Sequence, residues 1–139
     1  MACAAALEVQ RIIHEEHLLL NVRRMGGLLA AALSARFGAH PHVADIRGRG
    51  LFQALEFVAD RATLAPFPPS HQFAATLKRV ALDHGLAVYP SSGTIDGRLG
   101  DHVILAPPYN VDERDIERIV ARLGDAVDAT AAGVQAARL

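Results

Sequence analysis

One lysine and one cysteine stand among the 139 residues. Lys78 is therefore the single candidate for amine nucleophile chemistry, and Cys3 the single candidate thiol. A lysine that forms Schiff bases is desolvated, with its pKa lowered by burial or by nearby charge. Lys78 instead follows Leu77 in the middle of a helical pattern, at the border of its apolar stripe. It is expected on a solvated helix flank. Cys3 lies in a run of alanines and is expected to pack rather than react. One cysteine also excludes an internal disulfide and a Cys-rich zinc site.

The histidines offer two spaced pairs. His14 and His17, in His14-Glu15-Glu16-His17, stand at i, i+3, whereas the helical zinc-protease motif needs i, i+4. A solvated helix face is expected there. His40 and His42 could chelate a metal with a third ligand, but none is evident, and surface histidines are expected. Two loops could meet an anion. Arg47-Gly48-Arg49-Gly50 combines arginine with glycine-exposed amides, and Ser91-Ser92-Gly93-Thr94 could hold a phosphate. Neither has a dinucleotide or P-loop spacing, so a hairpin connection and a turn are expected. No Ser or Cys is followed by a matching base at a readable spacing.

The elements that must position these residues can be read from periodicity. Ala2 to Phe37 has no proline, and Val22, Met25, Leu29 and Leu33 recur at helical steps. The spacing predicts one long helix, with a bend allowed near Asn21 or Gly26-Gly27 and an end at Gly38. No Ser, Thr, Asp or Asn caps its start, as though upstream chain were missing. Val43–Arg47 and Leu51–Val58 read as antiparallel strands around the glycine turn. Glu56 shares a face with Phe52, Ala54 and Val58 and needs a partner if buried. Ser70 is expected to cap a helix with a Phe73, Leu77, Val80, Ala81 stripe that ends at Gly85. Leu86–Tyr89 and His102–Leu105 read as strands around a polar loop. Asp112 is expected to cap a last helix carrying Ile116, Ile119, Val120, Leu123 and Val127, with a tail that frays from Ala126. The order predicts an α+β two-layer module: a small, mostly antiparallel sheet with helices on one face, preceded by a long N-terminal helix.

Composition sets the outer limits. Lys+Arg is 14 and Asp+Glu is 15, giving a net charge of -1 with neutral histidine. That balance supplies no whole-chain field for nucleic acid or an anionic membrane. Hydrophobic residues make up 51%, enough for a real core. No secretory segment or 18-residue apolar run is read from the sequence, so a soluble cytoplasmic protein is the expectation.

Taken in order, several segments resemble one family. Met1 to Val9 is similar to the "ACAAALAV" segment of class III aminotransferases. Arg47-Gly48-Arg49-Gly50-Leu51 with Glu56 resembles their "RGxGL…E" strand pair. Leu86-Ala87-Val88-Tyr89-Pro90, Gly100-Asp101-His102 and Leu105-Ala106-Pro107-Pro108 complete the set. The resemblance implies the C-terminal small domain of a fold-type-I, pyridoxal-phosphate enzyme. Residues 1–38 would be the connecting helix and 39–139 the small domain. It further implies that the cofactor-phosphate loop, the aspartate on the pyridine nitrogen and the Schiff-base lysine lie upstream. No catalytic, cofactor-binding or metal residue is therefore expected here, and the chain alone is expected to be catalytically incomplete. By the resemblance, Arg98 stands nearest the arginine that binds a substrate carboxylate. A second arginine position of some relatives, two residues before Ala-Pro-Pro, holds Ile104. The partners implied are the large domain, or another copy through the N-terminal helix, and a small amino or oxo acid. The contrasting reading is a free-standing α+β module for interaction or small-ligand binding.

Overall fold

The computed structural model describes residues 2–136. Helices α1 (Ala2–Glu15) and α2 (Leu18–Phe37) lead into strands β1 (Val43–Arg49) and β2 (Phe52–Phe57). A short 3-10 turn, Pro69–His71, precedes α3 (Phe73–Asp83). Strands β3 (Tyr89–Ser92) and β4 (Asp101–Leu105) follow, and α4 (Glu113–Ala136) closes the module. The sheet order is β1-β2-β4-β3, and every pairing is antiparallel.

The expected long N-terminal helix is present but broken, and not where glycine suggested. His17 adopts the left-handed conformation at φ 52° and separates α1 from α2. Gly26 and Gly27 remain inside α2. Every residue of α1 is exposed except the half-buried Ile12 and Ile13. A left-handed non-glycine residue costs about 1–2 kcal/mol, of which the greater chain entropy of glycine returns about 0.5–1. His17→Gly is therefore expected to raise the thermal midpoint slightly and His17→Val to lower it. A lower midpoint for the glycine variant would refute the strain.

Helix α2 is long and apolar enough to cross a membrane by length and composition, contrary to the sequence reading. Its row of Met25, Leu29, Leu33 and Phe37 instead fills the core of the module. Inward strand residues Val43, Leu55, Phe57, Val103 and Leu105 meet this row and that of α4. The alternate strand positions form the second face, where Phe52 is 59% and Tyr89 70% exposed. Glu56 lies there too and has its partner: Arg47 reaches it at 2.7 Å and Asp45 at 2.7 Å. These two carboxylates raise the Arg47 pKa.

Three boundaries differ from expectation. Strand β1 continues through Gly48 to Arg49, so the hairpin turns only at Gly50-Leu51. Gly50 has φ +57°, which a two-residue hairpin reserves for glycine. Strand β3 starts at Tyr89 and takes in Ser91 and Ser92, which pair with His102 and Asp101. It lies at the sheet edge, where Pro90 is tolerated. The tail does not fray at Ala126: Ala126, Val127, Thr130, Ala131 and Val134 are buried along α4. The start of α4 matches expectation, because Asp112 Oδ1 accepts the Asp115 amide at 2.8 Å.

His40 and His42 are not surface histidines. The His40 side chain is 8% exposed and the His42 residue 9%. His40 Nδ1 accepts the His42 amide at 3.1 Å, which leaves Nε2 to donate to Asp128 on α4 at 3.0 Å. His42 Nδ1 donates to the Val58 carbonyl at 3.1 Å. Arg36 crosses Gly124 to pair with Asp128 as well. Burial raises the Asp128 pKa, and the bonds from His40 and Arg36 outweigh it, so the carboxyl sits below its ordinary value. A depressed acid stabilises the fold above its unfolded pKa of about 3.9 and loses that contribution as pH falls through the folded value. Asp128→Asn is expected to flatten the loss of stability below about pH 4 in urea titrations. An unchanged acid limb would exclude this α2–α4 latch.

Candidate functional site

Lys78 is exposed on α3, with Nζ 5.7 Å from the Tyr89 ring centroid. It is the solvated flank that its sequence context suggests. His14 and His17 are exposed, and among the described residues no group of three or more His, Cys, Asp or Glu could hold a metal. Cys3 is an exposed free thiol rather than a packed one. Arg47 is committed to Asp45 and Glu56, and Ser91 and Ser92 belong to a strand.

The hairpin between β3 and β4 is more ordered than a polar loop would be. The Gly93 amide donates to the Gly100 carbonyl at 2.8 Å, and the Ile95 amide to the Leu99 carbonyl at 3.0 Å. Asp96 Oδ1 accepts the amides of Arg98 (2.9 Å) and Leu99 (2.7 Å), which lower its pKa. Gly100 has φ +87°, and a Cβ there would stand 2.2 Å from Thr94 Oγ1. Arg98 thus projects from a closed loop. Among the described residues its guanidinium forms no ion pair or hydrogen bond.

The hairpin's first strand residue beyond the loop is Asp101, only 7% exposed. Its Oδ1 accepts the Ala74 amide at 3.3 Å, at the second position of α3. The sequence pattern predicts Ser70 as that cap. The structure instead puts Ser70 in the 3-10 turn and left-handed Gln72 at the N-cap, with no side-chain cap bond. Asp101 supplies the acceptor from a strand 27 residues away, and its charge suits the positive helix end. Burial pushes the Asp101 carboxyl up, while the Ala74 amide and His102 act in the opposite sense.

Arg98 and Asp101 share a cavity of about 350 Å³ with Gln72, Ser92, Phe67 and Ala75. A more apolar cavity of about 500 Å³ lies along Tyr89, Ile104, Pro107 and Pro108. Lys78 lines neither. His102, beside Glu56 and Ser91 in the sheet register, has a buried Nδ1 without a hydrogen bond. The sequence marks Asp101 only as part of the Gly100-Asp101-His102 segment. Its fixed distance from Ala74 exists only in the folded chain.

The family model for aminotransferase class-III matches residues 1–127. The chain is 43% identical over 134 residues to an uncharacterised aminotransferase of Schizosaccharomyces pombe, covering 96% of this chain and 29% of that protein. It is 49% identical over 128 residues to an aminotransferase of Gibberella zeae, covering 91% and 25%. The fold matches an omega transaminase of Pseudomonas jessenii, solved in complex with PMP, with TM-score 0.81 and 36% identity over 95% of this chain and 27% of that one. The chain therefore spans between a quarter and a third of the length of these relatives.

Proposed function

Because the chain belongs to the class III aminotransferase family, we propose that it is the small-domain end of such an enzyme and works only with an upstream part. In this reading residues 1–38 connect the two parts and 39–139 form the small domain, within a cytoplasmic enzyme. The intact enzyme moves an amino group from an amine donor to a 2-oxo acid or aldehyde. Pyridoxal phosphate supplies the carbanion-stabilising chemistry when bound. The residues of this chain do not fit that cofactor. Its one lysine is exposed on a helix flank, outside the cavities around Arg98 and Pro107. The exposure of Lys78 is the observation that carries the reading.

What this chain contributes is positioning. The closed 93–100 hairpin presents an uncommitted guanidinium, and arginine binds a carboxylate through two parallel hydrogen bonds. Arg98 is assigned that role toward the substrate. Exposed α1 and the open sheet face support a large upstream partner, because large apolar side chains such as Leu7, Phe52 and Tyr89 stand in solvent.

Two measurements test this. Incubation of the chain with pyridoxal phosphate followed by borohydride reduction is expected to leave no stoichiometric adduct on Lys78. Addition of the upstream part of a relative is expected to be required for transamination. A stoichiometric Lys78 adduct, or turnover by the chain alone, would overturn the reading.

A further inference from the structure

We propose that the free edge of β1 pairs antiparallel with β1 of a second copy of this chain, with Ile46 on the two-fold axis. Asp45 of each copy then stands opposite the partner's Arg47. The sheet order puts β1 at one edge, with β2 on its inner side and, among the described residues, no strand beyond it. An antiparallel ladder uses only alternate backbone groups of such a strand, so the rest face outward. The other edge, β3, has four residues and carries Pro90, which makes it a poor template. β1 has seven residues and no proline.

Charges on an edge ordinarily keep sheets apart, and those of β1 do so in every register but one. Asp45, Arg47 and Arg49 are exposed along one face of the strand. An axis at Asp45 would set two aspartates opposite each other. An axis at Arg47 would oppose two arginines, and one at Gly48 would oppose Arg47 and Arg49. Like charges directly opposite destabilise a strand pair. Only an axis at Ile46 sets Asp45 against Arg47, and it does so twice. Arg47 has the donors for a further carboxylate. Its bonds to Asp45 and Glu56 both leave from Nη1, at 2.7 Å each. Nη2 makes no hydrogen bond among the described residues. The partner's Asp45 can therefore be added without breaking either bond. The two four-stranded sheets become one continuous sheet. The register shift between Val43 and Asp45 ends the regular stretch on that side, which keeps the contact short and reversible.

Sedimentation velocity of the whole chain over a range of concentrations is the test, and a monomer–dimer equilibrium is expected. Asp45→Arg opposes cations across the axis, and Arg47→Asp opposes anions. Each variant alone is expected to weaken the dimer roughly tenfold or more. An equimolar mixture of the two restores both opposite-charge pairs and is expected to associate like the unaltered chain. A folding defect in either variant could not produce that rescue. Leu7→Glu, on exposed α1, is expected to leave the dimer unchanged. A chain that stays monomeric throughout, a mixture that associates no better than its separate components, or loss of the dimer through Leu7→Glu would overturn the proposal. None of these outcomes bears on the Lys78 adduct, so failure here and failure of the enzyme reading are separable.

Discussion

Phe73→Ala is expected to lower stability by about 3–5 kcal/mol, the usual cost of removing a buried phenylalanine. Phe73 is 1% exposed at the first position of α3. Its ring stacks on Phe67 at 4.2 Å with planes 9° apart, and meets Phe57 at 5.1 Å. The three rings join a loop, a helix start and a central strand. Truncation removes both ring contacts and leaves a cavity that a helix held by Asp101 cannot collapse into. Single domains have only about 5–15 kcal/mol of stability, so the thermal midpoint should fall by roughly ten degrees or more. Phe73→Leu keeps much of the volume and should lose less than half as much. Equal losses for the two variants would show that ring stacking and packing are not the cause. A loss below about 1 kcal/mol for alanine would show that the site is not a core.

The second large effect concerns neighbouring glycines with opposite outcomes. A Cβ on Gly26 would stand 2.5 Å from the Cα and carbonyl carbon of Gly50, in the β1–β2 turn. Neither partner atom belongs to a side chain that can rotate away. Gly26→Ala is expected to cost about 1–3 kcal/mol or more through overpacking, despite a better helix propensity. Gly27 is exposed, and a Cβ there meets nothing within 4 Å. Gly27→Ala should gain about 0.5–1 kcal/mol. Chemical denaturation of both variants decides the matter. Stabilisation by both substitutions would mean that α2 does not approach the turn as described.

These cases show why some elements could be read from residues and others could not. Helix α4 was legible because Ile116, Val120, Leu123 and Val127 repeat with the helical period and Asp112 stands at its cap. Glu56 was legible as a residue in need of a partner because strand alternation fixed its face. The break at His17 was not, since Glu15-Glu16-His17-Leu18 contains no residue that ends helices. Nor was the cap of α3, because local pattern favours Ser70 while tertiary structure brings Asp101. The start of β3 slipped because Leu86 to Val88 look more strand-like than Pro90, Ser91 and Ser92. Arg98 was singled out by resemblance, but its freedom from other charges depends on the folded hairpin. Burial of His40 likewise depends on α4, nearly ninety residues later.

The strand order carries a consequence for how the chain assembles in time. Strand β4 lies between β2 and β3, and more than forty residues separate Phe57 from its pairing partner Asp101. The early hairpin therefore has no neighbouring strand while that intervening stretch is being synthesised. Closing so long a loop is entropically costly before any contact repays it, and distant pairings of this kind slow folding. During that interval the open edge of β2 is a nascent-chain liability. The arrival of β4 at the sheet centre should be the committing event, and ribosome-stalled chains ending before Asp101 should bind holdase chaperones more strongly than chains that extend through α4.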